Sequence, residues 1–259
     1  MPEPSAPPPG PRVRVPPALP ADGLPGHAEL HALSNFSFLR GASHPEELVE
    51  RAYQLGYAAL AITDECSVAG VVRAWAAWRD LQALLTQREA DHPGQQWLRP
   101  FQLLYGAEFD FGDARLVALA RDLDGWGGLC EFITTARRRA PKGRYQVGWD
   151  DSPLELLAGC EVLVLPQRHA PDGSAVAIDS IAIDDILARA RARFGSATWL
   201  GVCLQGQIDD DLWLDVLRAG GARTGVPLVA AGDVHLHVRS RKPLQDVLTA
   251  IRLGRPVAE

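Results

Sequence analysis

The chain is poor in cysteine and in positive charge, and it lacks long apolar runs and phosphate-binding glycine loops. Its four cysteines, Cys66, Cys130, Cys160 and Cys203, are scattered over 259 residues without a CxxC pair. That spacing argues against a zinc knuckle or a disulfide framework and fits reduced thiols in a cytoplasmic protein. Lysine and arginine number 26 against 32 aspartates and glutamates, a net charge of -6. A surface of that sign does not hold DNA all over, so any phosphate contact must come from local patches. No apolar run approaches the ~20 residues needed to span a bilayer, and the N-terminus lacks the basic-then-apolar layout of a signal peptide. No GxGxxG or GxxxxGK[ST] loop follows a strand, which weakens a nucleotide-binding assignment.

Proline is present in abundance, but unevenly. Residues 1–26 hold ten of the twenty prolines. Because proline lacks a backbone donor and fixes φ, this stretch is expected to be a disordered leader; a proline-rich docking motif is the other reading. Beyond Gly26 strands and helices alternate. Strands are expected at Glu29–Leu33, Ala58–Ile62, Phe101–Phe109, Arg115–Ala120, Val162–Leu165, Trp199–Leu204 and Pro227–Ala231. Between and after them fall helices from Ser43 to Gly56, Val68 to about Glu89, Trp126 to Arg139, Ile181 to Arg193, Leu212 to Arg223 and Pro243 to Leu253. The first helix opens on Ser-His-Pro-Glu, read as a capping box with Ser43 at the N-cap and Glu46 reaching back. Alternation over this length implies an α/β fold with a parallel sheet, closed into a barrel, with an open doubly wound sheet as the alternative.

In α/β barrels the reacting groups collect at the C-terminal ends of the strands. There the sequence places His31, then Asp64 and Glu65, then Glu108 and Asp110, and finally Asp233 with His235 and His237. Imidazoles and carboxylates from separate strands suit zinc, manganese or iron. Each also has a plainer reading. A lone His31 is an ordinary hydrogen-bonded residue, Asp64 an N-cap, and Asp110 a solvated face. Glu108 lies within an apolar strand, where a carboxylate needs a partner or an ion. His27, His44, His92 and His169 fall in loops or caps and read as surface residues, and the seven tryptophans read as packing residues rather than stacking platforms.

The segments ELHALSNFSFLRGASHPEELVERAYQLGYAALAITDECSVAGVVRA and PLVAAGDVHLHVRSRKPLQDVLTAIRLGRPVAE resemble the two ends of the PHP domain of C-family bacterial DNA polymerase α subunits. The wording SNFSFLRGASHPEELV and TDECS is closest to the error-prone, damage-inducible branch. YGAEF and LVALARDLDGWGGLCEFITTARRRAPKGRY keep the family's order between them. The resemblance implies that residues 27–259 form one PHP domain, an irregular seven-stranded (βα) barrel at the N-terminal end of a longer polymerase. In metal-bearing members the barrel mouth holds up to three ions that cleave phosphoesters.

Carried over residue by residue, the family's ligand set is incomplete here. The first motif, HxH, keeps His31 but has Leu33 in place of the second histidine. The Asp-His motif reads Asp64-Glu65. Glu108 matches, a following histidine aligns with Arg115, another with Gln205, and the closing DxH is Asp233 and His235. An arginine in place of a ligand repels the ions. The resemblance therefore implies a dismantled site at His31, Asp64, Glu108, Asp233 and His235, with room for one zinc or manganese ion on His31, Glu108 and Asp233. No residue is singled out as catalytic. The expected role is structural or regulatory, and the alternative is an active metal-dependent phosphoesterase or 3′–5′ exonuclease. Nucleotide transfer, with its magnesium ions, belongs to a palm that lies beyond these residues in the family. The implied partners are the rest of the polymerase chain, DNA through the full enzyme, and other proteins of mutagenic synthesis, with no membrane. Arg137, Arg138, Arg139 and Arg241 are candidate DNA contacts; their alternative is a solvated helix end.

Overall fold

A computed structural model describes residues 26–168 and 180–257, so residues 1–25 of the leader and His169 lie outside the described residues. Seven strands form one sheet in chain order: β1 (Ala28–Ala32), β2 (Ala59–Ile62), β3 (Gln102–Asp110), β4 (Ala114–Ala120), β5 (Cys160–Pro166), β6 (Thr198–Val202) and β7 (Leu228–Ala230). Beyond β7 the chain meets β1 again, where Leu33 N–H donates to the Val234 carbonyl (2.8 Å) and Val234 N–H to that of His31 (2.9 Å). Glu29 tightens the closure, its buried carboxylate accepting from the backbone of both His31 (3.0 Å) and Gly232 (2.8 Å). The sheet is thus a nearly closed, barrel-like ring.

One strand departs from the expected parallel arrangement. β4 runs antiparallel to both β3 and β5. Only Phe111–Asp113 separate β3 from β4, with Gly112 at φ +88°, and a parallel crossover needs a dozen residues or more. A hairpin is the only connection that length allows.

Among the described residues six α-helices cover the outside: α1 (Pro45–Gln54), α2 (Val71–Asp91), α3 (Leu123–Arg138), α4 (Ser180–Phe194), α5 (Asp210–Thr224) and α6 (Lys242–Leu253). The starts of α1 and α3 shift from expectation for identifiable reasons. The N-cap of α1 is His44, not Ser43, and Glu47 rather than Glu46 accepts the N-cap N–H (2.9 Å). Ser43 is buried and bound instead to His237. α3 begins a turn early because the Asp122 carboxylate caps it, accepting from Gly125 N–H at 2.8 Å.

Apolar packing divides in two layers outside the sheet and one within it. Tyr53, Trp78, Leu81 and Leu85 pack α1 and α2 over β1–β3, while Phe109, Phe132, Leu187 and Leu217 join α3–α5 to β3–β6. Inside the ring lie Leu30, Ala61, Leu104, Val117, Leu119, Leu163, Leu165, Val229 and Ala231. Strand side chains alternate, so residues two apart share a face. That rule stacks Glu108 above Leu104, Arg115 above Val117, and Asp233 above Ala231, all on the inner face. The upper layer of the barrel interior is therefore charged. Trp75, read from sequence as a packing residue, is instead 48% exposed. His27, His44 and His92 are exposed as expected.

Candidate functional site

The upper layer opens as a cavity of about 430 Å³, lined by Arg40, Glu65, Arg115, Asp233, His235 and Arg252 among others. Three of the sequence candidates, His31, Glu108 and Asp233, are buried there and meet. One side-chain ligand atom from each lies within 4.8 Å of the others, an arrangement able to hold a metal ion. His31 Nε2 sits 2.7 Å from Glu108 Oε2, and its Nδ1 is 3.7 Å from Asp233 Oδ1. Since an ionised Glu108 only accepts, Nε2 carries the donated proton. Nδ1 is buried without a hydrogen-bond partner.

His235 contributes at the margin, with Nε2 3.0 Å from Asp233 Oδ1 and Nδ1 3.3 Å from the Gln245 side chain on α6. Asp64 does not join. Its carboxylate accepts from the Ser34 backbone N–H (2.8 Å), Ser34 Oγ (2.8 Å) and Ser37 Oγ (2.7 Å). It pins the loop after β1, and burial pushes its pKa up despite those bonds. His237 is also elsewhere, against Ser43 and Glu47.

Two guanidiniums occupy the centre. Arg115 Nη1 lies 2.9 Å from Asp233 Oδ2 and 3.2 Å from Glu108 Oε2. Arg40 ion-pairs with Glu108 through both terminal nitrogens and reaches Glu65 Oε2 at 2.9 Å. Tyr145 donates to the other Glu65 oxygen (3.0 Å). Burial alone raises the pKa of Glu108, but Arg40, His31 and Arg115 together hold it well below the usual carboxylate range. Burial likewise opposes the charge on Asp233, and His31, His235 and Arg115 overcome it, leaving that carboxyl well below its ordinary value. Arg115 is held charged by Glu108 and Asp233 against the same desolvation.

Backbone strain concentrates at the same mouth. The non-glycine residues with positive φ among the described residues are Leu39 (59°), Cys66 (43°) and Asp233 (49°). The first two flank Arg40 and Glu65, and the third is a candidate ligand. Such conformations persist where surrounding contacts over-determine them. Gly41 allows the Arg40 loop to fold, since a Cβ there lies 1.9 Å from the Ser34 carbonyl oxygen.

Arg40 is a site residue that sequence reasoning misses, because the loop after β1 carries no periodic signal that aims it inward. Arg252 on α6 escapes too, because helical periodicity does not say which neighbour its polar face meets. It also faces the cavity, where burial and the neighbouring Arg40 charge lower its pKa. The candidate DNA-contact arginines are mostly committed. Arg137 donates to the carbonyls of Cys66 (3.1 Å) and Glu65 (3.0 Å) and lies over the Tyr145 ring. Arg139 pairs loosely with Asp151 (3.9 Å), and Arg241 pairs with Glu47. Arg138 is exposed on the last turn of α3.

Fold and site together define a seven-stranded, helix-covered barrel with histidine and carboxylates at its mouth. The PHP domain family model matches residues 29–158, half of the chain, and the chain belongs to that family. It is 48% identical over 233 residues to an error-prone DNA polymerase of Methylococcus capsulatus, covering 90% of this chain and 19% of that protein. Error-prone DNA polymerases of Azoarcus sp. and Pseudomonas aeruginosa are 47% and 44% identical, each over 91% of this chain. The chain thus spans about a fifth of the length of these relatives. Among solved structures, a Bifidobacterium adolescentis protein provisionally named a metal-dependent phosphoesterase superposes with a TM-score of 0.52 at 15% identity. That match covers 90% of this chain and all of that one, and it speaks to the fold alone. Among the described residues no helix is long and apolar enough to cross a membrane.

Proposed function

We propose that these residues are the N-terminal PHP portion of an error-prone DNA polymerase, with a mouth that serves a structural role in place of metal-dependent hydrolysis. The nucleotide transfer, DNA binding and damage-repair partners of the full enzyme follow from its relatives and lie outside this domain. The observation that carries the reading is Arg115, whose guanidinium bridges Glu108 and Asp233. It supplies fixed positive charge where a metal-bearing barrel has cations. Leu33, at the second position of the HxH motif, is buried and apolar and offers no ligand atom. Such a donor set does not fit a cluster of two or three ions. In this reading Arg40 and Arg115 tie β1, β3, β4 and the β7 extension together across the ring.

A second reading, a metal-dependent phosphoesterase or 3′–5′ exonuclease using one zinc or manganese ion, draws on the ligand triad and the partnerless His31 Nδ1. An ion on that triad must first displace Arg115. The experiment is metal analysis of the purified chain together with degradation of 3′-labelled single-stranded DNA in manganese. The structural reading expects no stoichiometric metal and no turnover, with metal uptake gained when Arg115→His and Leu33→His are combined. Metal-dependent turnover abolished by Asp233→Asn overturns it.

A further inference from the structure

The β3–β4 hairpin leaves a gap in the helical coat. Every parallel connection brings a helix across the outside of the sheet, but β3 turns straight back into β4. The outer face of β3 is covered at Ala107 and Phe109 but left open beside Tyr105, where a groove of about 500 Å³ runs between α2 and α3. Val72, Trp75 and Leu123 stand on its rim at 70%, 48% and 81% exposure, and Leu103, Tyr105 and Trp126 form its floor and far wall. Tyr105 and Trp126 meet edge to face at 6.1 Å. The groove opens on the outside of the ring and shares no lining residue with the charged cavity described above.

We propose that this groove is a receptor for the chain's own proline-rich N-terminal segment, residues 1–25. Proline-rich segments favour the polyproline II conformation, which shows flat rings and unpaired carbonyl acceptors. Their complement is a shallow slot of aromatic rings, which Trp75, Tyr105 and Trp126 provide. The segment includes Pro17-Ala18-Leu19-Pro20, a PxxP spacing. Position favours the same occupant. Strand register sets Ala28, Ala59 and Gln102 side by side, so the chain enters the barrel two strands, or ~10 Å, from the Gln102 edge of the groove. The eight residue steps from Pro20 to Ala28 can span about 25 Å at ~3.1 Å per step. Val257, by contrast, follows α6, whose Arg252 and Gln245 lie at the mouth. Tethering holds the segment at roughly millimolar effective concentration, so modest intrinsic affinity fills the groove.

The test uses residues 26–259, whose described part contains the whole barrel, titrated with a fluorescently labelled peptide of residues 1–25. Saturable binding by fluorescence polarisation is expected, weakened about tenfold by Trp75→Ala, as for loss of one aromatic anchor. Val72→Arg, at a highly exposed helix position where folding is not at stake, obstructs the same groove and has a like effect, while Ile251→Arg on α6 has none. In hydrogen exchange, the intact chain protects residues 121–126 more than the leaderless one. Absence of saturable binding, binding indifferent to both groove variants, or a dimer in sedimentation that Val72→Arg dissolves each overturns the proposal. The last outcome assigns the groove to a second copy.

Discussion

The lower and upper layers of the barrel interior are built on the same strands, yet they are held by opposite means. Below, Leu104, Val117, Leu119 and Leu163 fill the ring with apolar side chains. Further along the same strands, Glu108 lies buried with Asp233 and His31, paired with the half-buried guanidiniums of Arg115 and Arg40. Apolar packing is nearly non-directional and tolerates a change of partner. A buried ion pair gains little net stability over apolar replacement, but removal of one member leaves an uncompensated charge. The upper layer therefore fixes which strand ends face each other more than it adds to the total. Its three left-handed non-glycine residues belong to the same logic, since the ionic contacts hold the loops against that strain.

The contrast is tested most severely at Arg40. Arg40→Ala strands Glu108 and Glu65 and is expected to destabilise the chain by about 3–5 kcal/mol in urea unfolding. An effect below about 1 kcal/mol, typical of exposed pairs, places the mouth in solvent-screened territory and removes the distinction between layers. Acid gives a graded version. Glu108 and Asp233 have folded pKa values below those of the unfolded chain. Their contribution is complete above the unfolded carboxylate range near ~4 and is lost as pH falls through the folded values. Asp64, shifted upward by burial, acts in the opposite sense but alone. Urea midpoints followed from pH 6 downward are expected to drop below about pH 4, and less steeply in Arg115→Met. An equal slope in that variant removes Arg115 from the network. The smallest effect is expected outside the ring. Arg137→Ala forfeits two carbonyl contacts and should cost about 1–3 kcal/mol, whereas Arg138→Ala should leave the unfolding midpoint unchanged. A reversal of that order makes Arg137 a surface cation after all.

Much of the architecture is legible in the residues. Period-two and period-3.6 patterning locates the seven strands and six α-helices of the described residues, because burial of one face acts residue by residue along the chain. The strand-end positions of His31, Glu108, Asp233 and His235 follow from the same periodicity. Local patterning is silent on strand direction, however, and alternation by itself points to a β4 parallel with the rest. Its reversal follows from the three-residue link across Gly112, whose length matters more than the alternation around it.

By itself, then, the sequence determined the order and type of the elements and the set of polar residues delivered to one rim. Tertiary structure alone decided which of them meet. Asp64 was captured by Ser34 and Ser37, while Arg40, from a loop with no periodic pattern, was delivered to Glu108. The reason is that closure of the ring and the course of its loops are set by contacts between residues tens to hundreds of positions apart. Local side-chain alternation fixes the face a residue takes, not the partner it finds there.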